Sequence, residues 1–78
     1  MNTDIIIPKL YEDMQGAVIV GWQKNIGEKI EYGDEIFSIE TEKSVFEIEA
    51  EEDGVLVEII AESGTEVKTL EVIGRMKI

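Results

Sequence analysis

Cysteine and histidine are both absent from the 78-residue chain. Without cysteine there can be no disulfide, no thiolate zinc site and no cysteine nucleophile. Without histidine there is no imidazole base, which excludes the Ser-His-Asp mechanism, and no imidazole ligand for haem or zinc. We therefore expect no metal centre and no catalytic residue, since the many acids are better explained as a solvated face.

Basic residues are scarce as well. Seven lysines and arginines face eighteen acids, which gives a formal net charge of −11. Such a surface repels nucleic-acid phosphates and anionic lipid headgroups, so we expect neither as a partner. No apolar run approaches the ~20 residues of a membrane span, and the first ten residues lack the basic segment of a signal peptide. The expectation is a soluble intracellular domain.

Period-two alternation, not helical periodicity, dominates the chain. Phe46, Ile48 and Ala50 alternate with glutamates, as in a half-buried strand. By the same pattern, Val18, Val20 and Trp22 share one face of a strand, and Phe37, Ile39 and Thr41 share one face of another. Pro8 ends a first strand because it cannot donate a ladder hydrogen bond. About eight short strands are predicted, which indicates an all-β barrel or sandwich formed by residues 1–78 as a single domain.

The two halves of the chain resemble each other at an offset of 37 residues. The segment AVIVGWQKNIGEKIEYGDEI then falls on GVLVEIIAESGTEVKTLEVI, so that Gly27 meets Gly64 and Ile30 meets Val67. Each such pair is either apolar or a turn glycine, which predicts one backbone path used twice. We expect two sheets related by a two-fold axis, burying a common core.

The junction between the halves, ETEKS, is predicted to be the exposed tip of a hairpin. Two-residue hairpin loops favour Asn-Gly or Asp-Gly because their central residues adopt positive φ, yet here Glu42 and Lys43 stand at the centre. Between Glu40 and Asp53, Lys43 is the single base among seven acids. A turn selected for stability alone would not read Glu-Lys.

Two interpretations of Lys43 follow from the residues. It is either a solvated charge that keeps an acidic hairpin soluble, or a lysine held at a stiff, protruding tip where another enzyme can acylate its amine. Composition does not distinguish between them.

The sequence resembles the lipoyl domains of acyltransferase subunits in 2-oxo acid dehydrogenase complexes, a branch of the biotinyl/lipoyl attachment family. IETEKSVFEIEA is similar to the ETDKA hairpin of that family, and IIIPKL to its first strand. GAVIVGWQKNIGEKIEYGDEIFSIET and DGVLVEIIAESGTEVKTLEVIGRM resemble its two halves. The likeness extends over essentially the whole chain.

The resemblance implies a flattened barrel of two four-stranded antiparallel sheets with quasi-two-fold symmetry, and lipoate in amide linkage to Lys43. In the family, the dithiolane is reductively acylated by a thiamine-diphosphate-dependent dehydrogenase of a 2-oxo acid or acetoin complex. It passes the acyl group to coenzyme A at the acyltransferase catalytic domain and is reoxidised by the flavoprotein dihydrolipoamide dehydrogenase. A lipoate ligase or lipoyltransferase attaches it. The domain would be a monomeric carrier without catalysis of its own, in the bacterial cytoplasm or, alternatively, the mitochondrial matrix.

Partner recognition in the family involves residues beside the lysine and in the loop after the first strand. By position these are Thr41, Glu42, Ser44, Tyr11, Glu12 and Asp13. Tyr11 stands where the family commonly carries glycine, and Glu42 where it often carries aspartate.

Two other functions are consistent with this fold. A biotinyl carrier domain shares the barrel, but its hairpin typically reads Ala/Val-Met-Lys-Met, and no methionine flanks Lys43. An unmodified barrel-sandwich adaptor would make no use of the lysine. Calcium binding at EAEEDG is disfavoured because the acids lack the alternating spacing of an EF-hand loop.

Overall fold

Eight β-strands and no helix make up the structure, a computed structural model that describes all of residues 1–78. The strands are β1 (Asn2–Ile6), β2 (Gly16–Trp22), β3 (Lys29–Ile30), β4 (Glu35–Glu40), β5 (Val45–Glu49), β6 (Gly54–Ile59), β7 (Glu66–Lys68) and β8 (Val72–Lys77). The absence of helices means that no helix could cross a membrane.

The strands form two four-stranded antiparallel sheets, one in the order β1-β8-β6-β3 and the other in the order β5-β4-β2-β7. This confirms the predicted all-β architecture. The sheets are not hydrogen-bonded into a closed barrel, because the edges of β1 and β5 stay apart. A cleft of about 300 Å³ lies between them, lined by Ile5 and Pro8 on one side and by Ile48 on the other.

An internal two-fold relation connects the sheets. Moving along the chain by 37 residues carries β2 onto β6, β3 onto β7 and β4 onto β8, and the strand orders then match. The turn hydrogen bonds repeat as well: the N–H of Gly27 donates to the Leu56 carbonyl at 2.6 Å, and that of Gly64 donates to the Ile19 carbonyl at 2.7 Å. The predicted repeat is therefore confirmed in the backbone.

One turn of the repeat contains an unexpected residue. Gly33 has φ of 88°, and at the equivalent place Leu70 has φ of 71°, the one positive φ outside glycine. Their N–H groups donate to the carbonyls of Ala50 and Ile7 at 2.9 and 2.8 Å. The left-handed conformation is easy for glycine and unfavourable for leucine, so the fold imposes this turn geometry on both halves.

Fourteen buried apolar residues form a single core between the sheets. They are Ile5, Ile7, Met14, Ile19, Ile30, Ile36, Phe37, Ile39, Ala50, Leu56, Ala61, Val67, Ile73 and Met76. Trp22 packs its ring 5.3 Å from that of Phe37 and donates its indole N–H to the Ala61 carbonyl at 2.9 Å. Because burial of apolar surface drives folding, this core supplies most of the stability.

The face predicted to be shared by Val18, Val20 and Trp22 in β2 is wrong at Val20. Val20 is 51% exposed while Ile19 is buried, because the ladder between β2 and β4 shifts register between Ile19 and Gly21. The equivalent shift between Leu56 and Glu58 turns Val57 outward too. A β-bulge adds a residue to one strand and so breaks simple alternation.

In β4, by contrast, four consecutive residues from Ile36 to Ile39 are buried, so the expected division into an inner and an outer face fails there. This strand lies between β5 and β2. It is the best-anchored strand of its sheet.

The ends of β4 and β8 are equivalent in the repeat, but the first continues into a hairpin and the second meets the first residue of the chain. At the end of β4 the chain turns in a hairpin, where the Thr41 N–H donates to the Ser44 carbonyl at 2.8 Å. At the end of β8 the corresponding bond runs from the Ile78 N–H to the Met1 carbonyl at 2.9 Å. Residues 1 and 78 therefore lie side by side, at the end opposite the hairpin.

Candidate functional site

The hairpin between β4 and β5 is closed by a threonine hydroxyl. Thr41 Oγ1 accepts hydrogen bonds from the backbone N–H groups of Lys43 at 3.1 Å and Ser44 at 3.2 Å. Neither Glu42 nor Lys43 has positive φ. The expectation that such a turn would need glycine, asparagine or aspartate for stability is therefore wrong, since the side chain of Thr41 satisfies the turn instead.

The ribbon below the turn is well anchored. The first two cross-strand pairs after the turn are Glu40↔Val45 and Ile39↔Phe46. Ile39 is fully buried, and Phe46 packs against the core. A side chain at the apex is thus held by a short turn on a strand whose inner residues are fixed in the core.

Lys43 lies at this apex and is exposed. Its amine makes no ion pair: the salt bridges of the structure involve Lys24 and Arg75. The Nζ atom lies 5.2 Å from the centroid of the Tyr11 ring. The structure therefore presents a primary amine at a protruding tip, beside one aromatic ring.

The loop between β1 and β2 brings Tyr11 to the hairpin. Met14 is buried and anchors the loop, donating its N–H to the Tyr11 carbonyl at 3.2 Å. The Thr69 hydroxyl donates to the Met14 carbonyl at 2.9 Å. The Tyr11 ring packs 6.4 Å from that of Phe46. Sequence reasoning did not find the approach of Tyr11 to Lys43, residues 32 positions apart.

Two shallow hollows flank the tip. One of about 300 Å³ is lined by Tyr11, Asp13, Gln15, Gly16 and Glu42. The other, of about 440 Å³, runs along the sheet edge and is lined by Gln15, Gly16, Ala17, Val18, Glu40, Thr41, Glu42, Glu66 and Val67. No base lines either hollow, so the surface around the amine is acidic.

Of the six residues predicted for recognition, four line the hollows beside the tip and two do not. Tyr11, Asp13 and Glu42 share one hollow, and Thr41 lines the other. Glu12 and Ser44 are exposed but line neither. The Ser44 hydroxyl donates to the Val45 carbonyl at 3.4 Å.

Carboxylates crowd the far end of the same ribbon. A hydrogen bond with Glu47 raises the pKa of Glu35 above its ordinary value of 4.5, and the charge of Glu47, desolvation and the charge of Glu49 act in the same direction. Glu35 pairs across the ladder with Glu49. Like charges on neighbouring strands oppose folding at neutral pH.

Comparison with known proteins agrees with this geometry. The model of the family described as "Biotin-requiring enzyme" (Biotin_lipoyl) matches residues 3–76. A solution structure of the lipoyl domain of the 2-oxoglutarate dehydrogenase complex from Azotobacter vinelandii is 35% identical, with a TM-score of 0.78, and the match covers 96% of this chain and 95% of that one.

Longer relatives match over the same region. The succinyltransferase component of the 2-oxoglutarate dehydrogenase complex of Buchnera aphidicola (subsp. Schizaphis graminum) is 40% identical over 94% of this chain, and the acetyltransferase component of the acetoin cleaving system of Bacillus subtilis is 39% identical over 86%. The chain spans 19% and 17% of the length of these two proteins. The chain belongs to the biotinyl and lipoyl domain family, as a lipoyl domain of the kind found in the acyltransferases of 2-oxo acid dehydrogenase complexes.

Proposed function

We propose that Lys43 carries lipoate in amide linkage and that residues 1–78 act as a single carrier domain. The observation that supports this most strongly is the exposed amine at the apex of an anchored ribbon, without an ion-pair partner. An acylating enzyme needs approach to the nitrogen from several directions, and a side chain at a turn apex allows it. The residues therefore fit the prosthetic group.

The attachment step needs only the amine and an activated acid. After losing one proton, Nζ of Lys43 attacks the carbonyl carbon of lipoyl adenylate, which is made from lipoate and ATP. A C–N bond forms, the bond from that carbon to the adenylate oxygen breaks, AMP departs and a second proton passes to solvent. The product is a neutral amide, so the tip loses its one positive charge.

Once attached, the dithiolane supplies the redox and acyl-transfer chemistry of the carrier. The chain's own contribution is placement. The Thr41 hydroxyl and the buried residues of β4 hold the attachment point away from the body of the domain. Holding the arm on a domain tethered to a complex would keep its effective concentration high, in the millimolar range for short flexible linkers.

The proposed partners are those of a 2-oxo acid or acetoin dehydrogenase complex. They are a thiamine-diphosphate-dependent dehydrogenase, an acyltransferase catalytic domain, dihydrolipoamide dehydrogenase and a lipoate ligase or lipoyltransferase. Similarity to acyltransferase components of such complexes supports this. In the relatives the domain is part of a longer chain, so acyltransferase activity, if joined to it, would reside outside residues 1–78.

Recognition is proposed to use Tyr11, Asp13, Thr41 and Glu42, which line the two hollows, with Glu12 and Ser44 at their margins. Because these hollows contain acids and no base, a partner surface should carry arginine or lysine, and its association should slow as salt is added. We place the carrier in the bacterial cytoplasm, as a monomer when isolated.

Two successive mass gains test the proposal. The unmodified domain is incubated with lipoate, ATP and a lipoate ligase, and then with a 2-oxo acid and one of the pyruvate, 2-oxoglutarate or branched-chain dehydrogenases. We expect one lipoyl increment, followed by an acyl increment with one of the three. A folded domain that gains no lipoyl group would support the adaptor function, and a biotin increment on protein isolated from cells would support the biotinyl function.

A further inference from the structure

Tyr11 is the one aromatic side chain that the structure places beside Lys43. The ring centroid lies 5.2 Å from Nζ, inside the roughly 6 Å within which an ammonium is attracted by the face of an aromatic ring. The ring also packs 6.4 Å from the Phe46 ring and against the core. These contacts hold the ring in place independently of Lys43.

Carboxylates are abundant at this end of the molecule, yet none forms an ion pair with Lys43. The ion pairs of the structure join Lys24 to Glu28 and Asp34, and Arg75 to Asp4 and Glu58. Glu40, Glu42 and Asp13 are near in the fold but make no such contact. The ring of Tyr11 is thus the specific partner of the amine.

This contact depends on charge. An ammonium is attracted to the negative face of a ring, whereas the nitrogen of a neutral amide carries no net charge and loses that attraction. From these facts we infer that Tyr11 is a positioning residue for Lys43: it holds the unmodified side chain against the β1–β2 loop and releases it when the amide forms. The release of the side chain rests on the proposed function. The contact between the ring and the ammonium does not, since it exists without any modification.

Two consequences follow for the carrier. Before modification the amine has a defined place beside the hollow lined by Asp13 and Glu42, where the attaching enzyme would find it. After modification the arm is free to move away from the loop.

The first experiment uses nuclear magnetic resonance on the unmodified domain. Protons next to Nζ over a ring face are shifted upfield by the ring current, so the ε-methylene signal of Lys43 should lie upfield of those of the other lysines. Tyr11→Leu should abolish that shift and Tyr11→Phe should keep it. Tyr32→Leu, which removes an exposed tyrosine of the opposite end, should leave it unchanged. An unshifted signal in the unaltered domain, or a shift that survives Tyr11→Leu, would overturn the inference.

The modified domain completes the test. After lipoylation, or after acetylation of Lys43, the upfield shift should disappear; its persistence would show that the ring does not distinguish the two states. If the Lys43 ε-methylene signal is shifted but no ligase modifies the domain, the proposed function is wrong and the ring–ammonium contact remains. If the domain is lipoylated but the Lys43 signal is not shifted, the contact is wrong and the proposed function remains.

Discussion

The backbone N–H of Thr41 lies 2.8 Å from the carbonyl oxygen of Ser44. Two residues stand between them, and the Thr41 hydroxyl accepts the N–H groups of Lys43 and Ser44. These three bonds let the turn form without a left-handed residue, so its two central positions need no glycine or asparagine. The sequence Glu-Lys at the apex is therefore compatible with a stable hairpin.

Removing the hydroxyl should weaken the tip. In Thr41→Ala two backbone N–H groups lose their acceptor, and we expect the free energy of unfolding to fall by about 1 kcal/mol, the typical net value of such bonds. Thr41→Ser keeps the oxygen and should cost less. Urea unfolding followed by Trp22 fluorescence measures the difference. Equal stability of the alanine and serine variants would show that the hydroxyl does not hold the turn.

Relocating the lysine should abolish modification without unfolding the domain. In Lys43→Gln an exposed turn charge is removed, so the stability should change by less than about 0.5 kcal/mol, and lipoate ligase should add nothing. The double exchange Glu42→Lys with Lys43→Glu conserves composition and net charge but points the amine in another direction.

The exchanged variant should accept lipoate at less than one tenth of the original rate. Time courses of intact mass, recorded alongside melting curves, provide the measurement. Similar rates for the original and the exchanged hairpin would mean that the ligase reads only the presence of an amine and not its place in the turn.

Glu35 should make stability depend on pH in a specific direction. Its raised pKa means that the folded state binds the proton more tightly than the unfolded state. Its ionised form therefore destabilises the fold above that pKa, and the penalty is relieved as the pH falls toward the ordinary value of 4.5. Glu35→Gln should raise the melting temperature at pH 7, with the gain shrinking as the pH falls toward 4.5 and absent below that value.

A charge-matched control separates this local effect from the general acidity of the chain. Glu51→Gln removes the same charge from an exposed turn, without the Glu47 contact. Its effect at pH 7 should be smaller. If the two variants gave the same melting temperatures across the pH range, net charge and not the Glu35–Glu47 contact would be responsible.

The paired turns at Gly33 and Leu70 offer a test of backbone strain. Nothing lies within 4 Å of a Cβ placed on Gly33, so Gly33→Ala tests the backbone alone and should cost about 1 kcal/mol at its φ of 88°. Leu70→Gly relieves a left-handed leucine but gives up some packing and adds freedom to the unfolded chain. It should be neutral within about 0.5 kcal/mol. A loss of several kcal/mol in Leu70→Gly would reveal packing that its 59% exposure does not suggest.

Much of the fold followed from local pattern. Alternation located the strands, the offset of 37 residues predicted the two-fold relation, and the junction between the repeats was correctly assigned to a hairpin. Bulges could not be predicted, because an extra residue changes the inner face without changing the apolar pattern. This is why Val20 and Val57 point outward although both occupy strand positions of the repeat.

The exposed position of Lys43 at a hairpin tip was predictable from the sequence, whereas the contacts around it were not. Lys43 stood out through its acidic context and through the resemblance of its hairpin, whereas the role of Thr41 depends on a hydrogen bond from side chain to backbone that composition does not reveal. The approach of Tyr11 to Lys43 results from Met14 anchoring the intervening loop in the core. Such a contact between distant segments follows from tertiary packing and not from any local signal.

Fragmentation of the intact domain after treatment with lipoate, ATP and lipoate ligase measures the central claim most directly. The chain offers five other lysines, at positions 9, 24, 29, 68 and 77. We predict a single lipoyl increment located entirely on Lys43, and none in the Lys43→Gln variant. An increment spread over several lysines, or retained in that variant, would contradict the assignment of the hairpin apex as the attachment site.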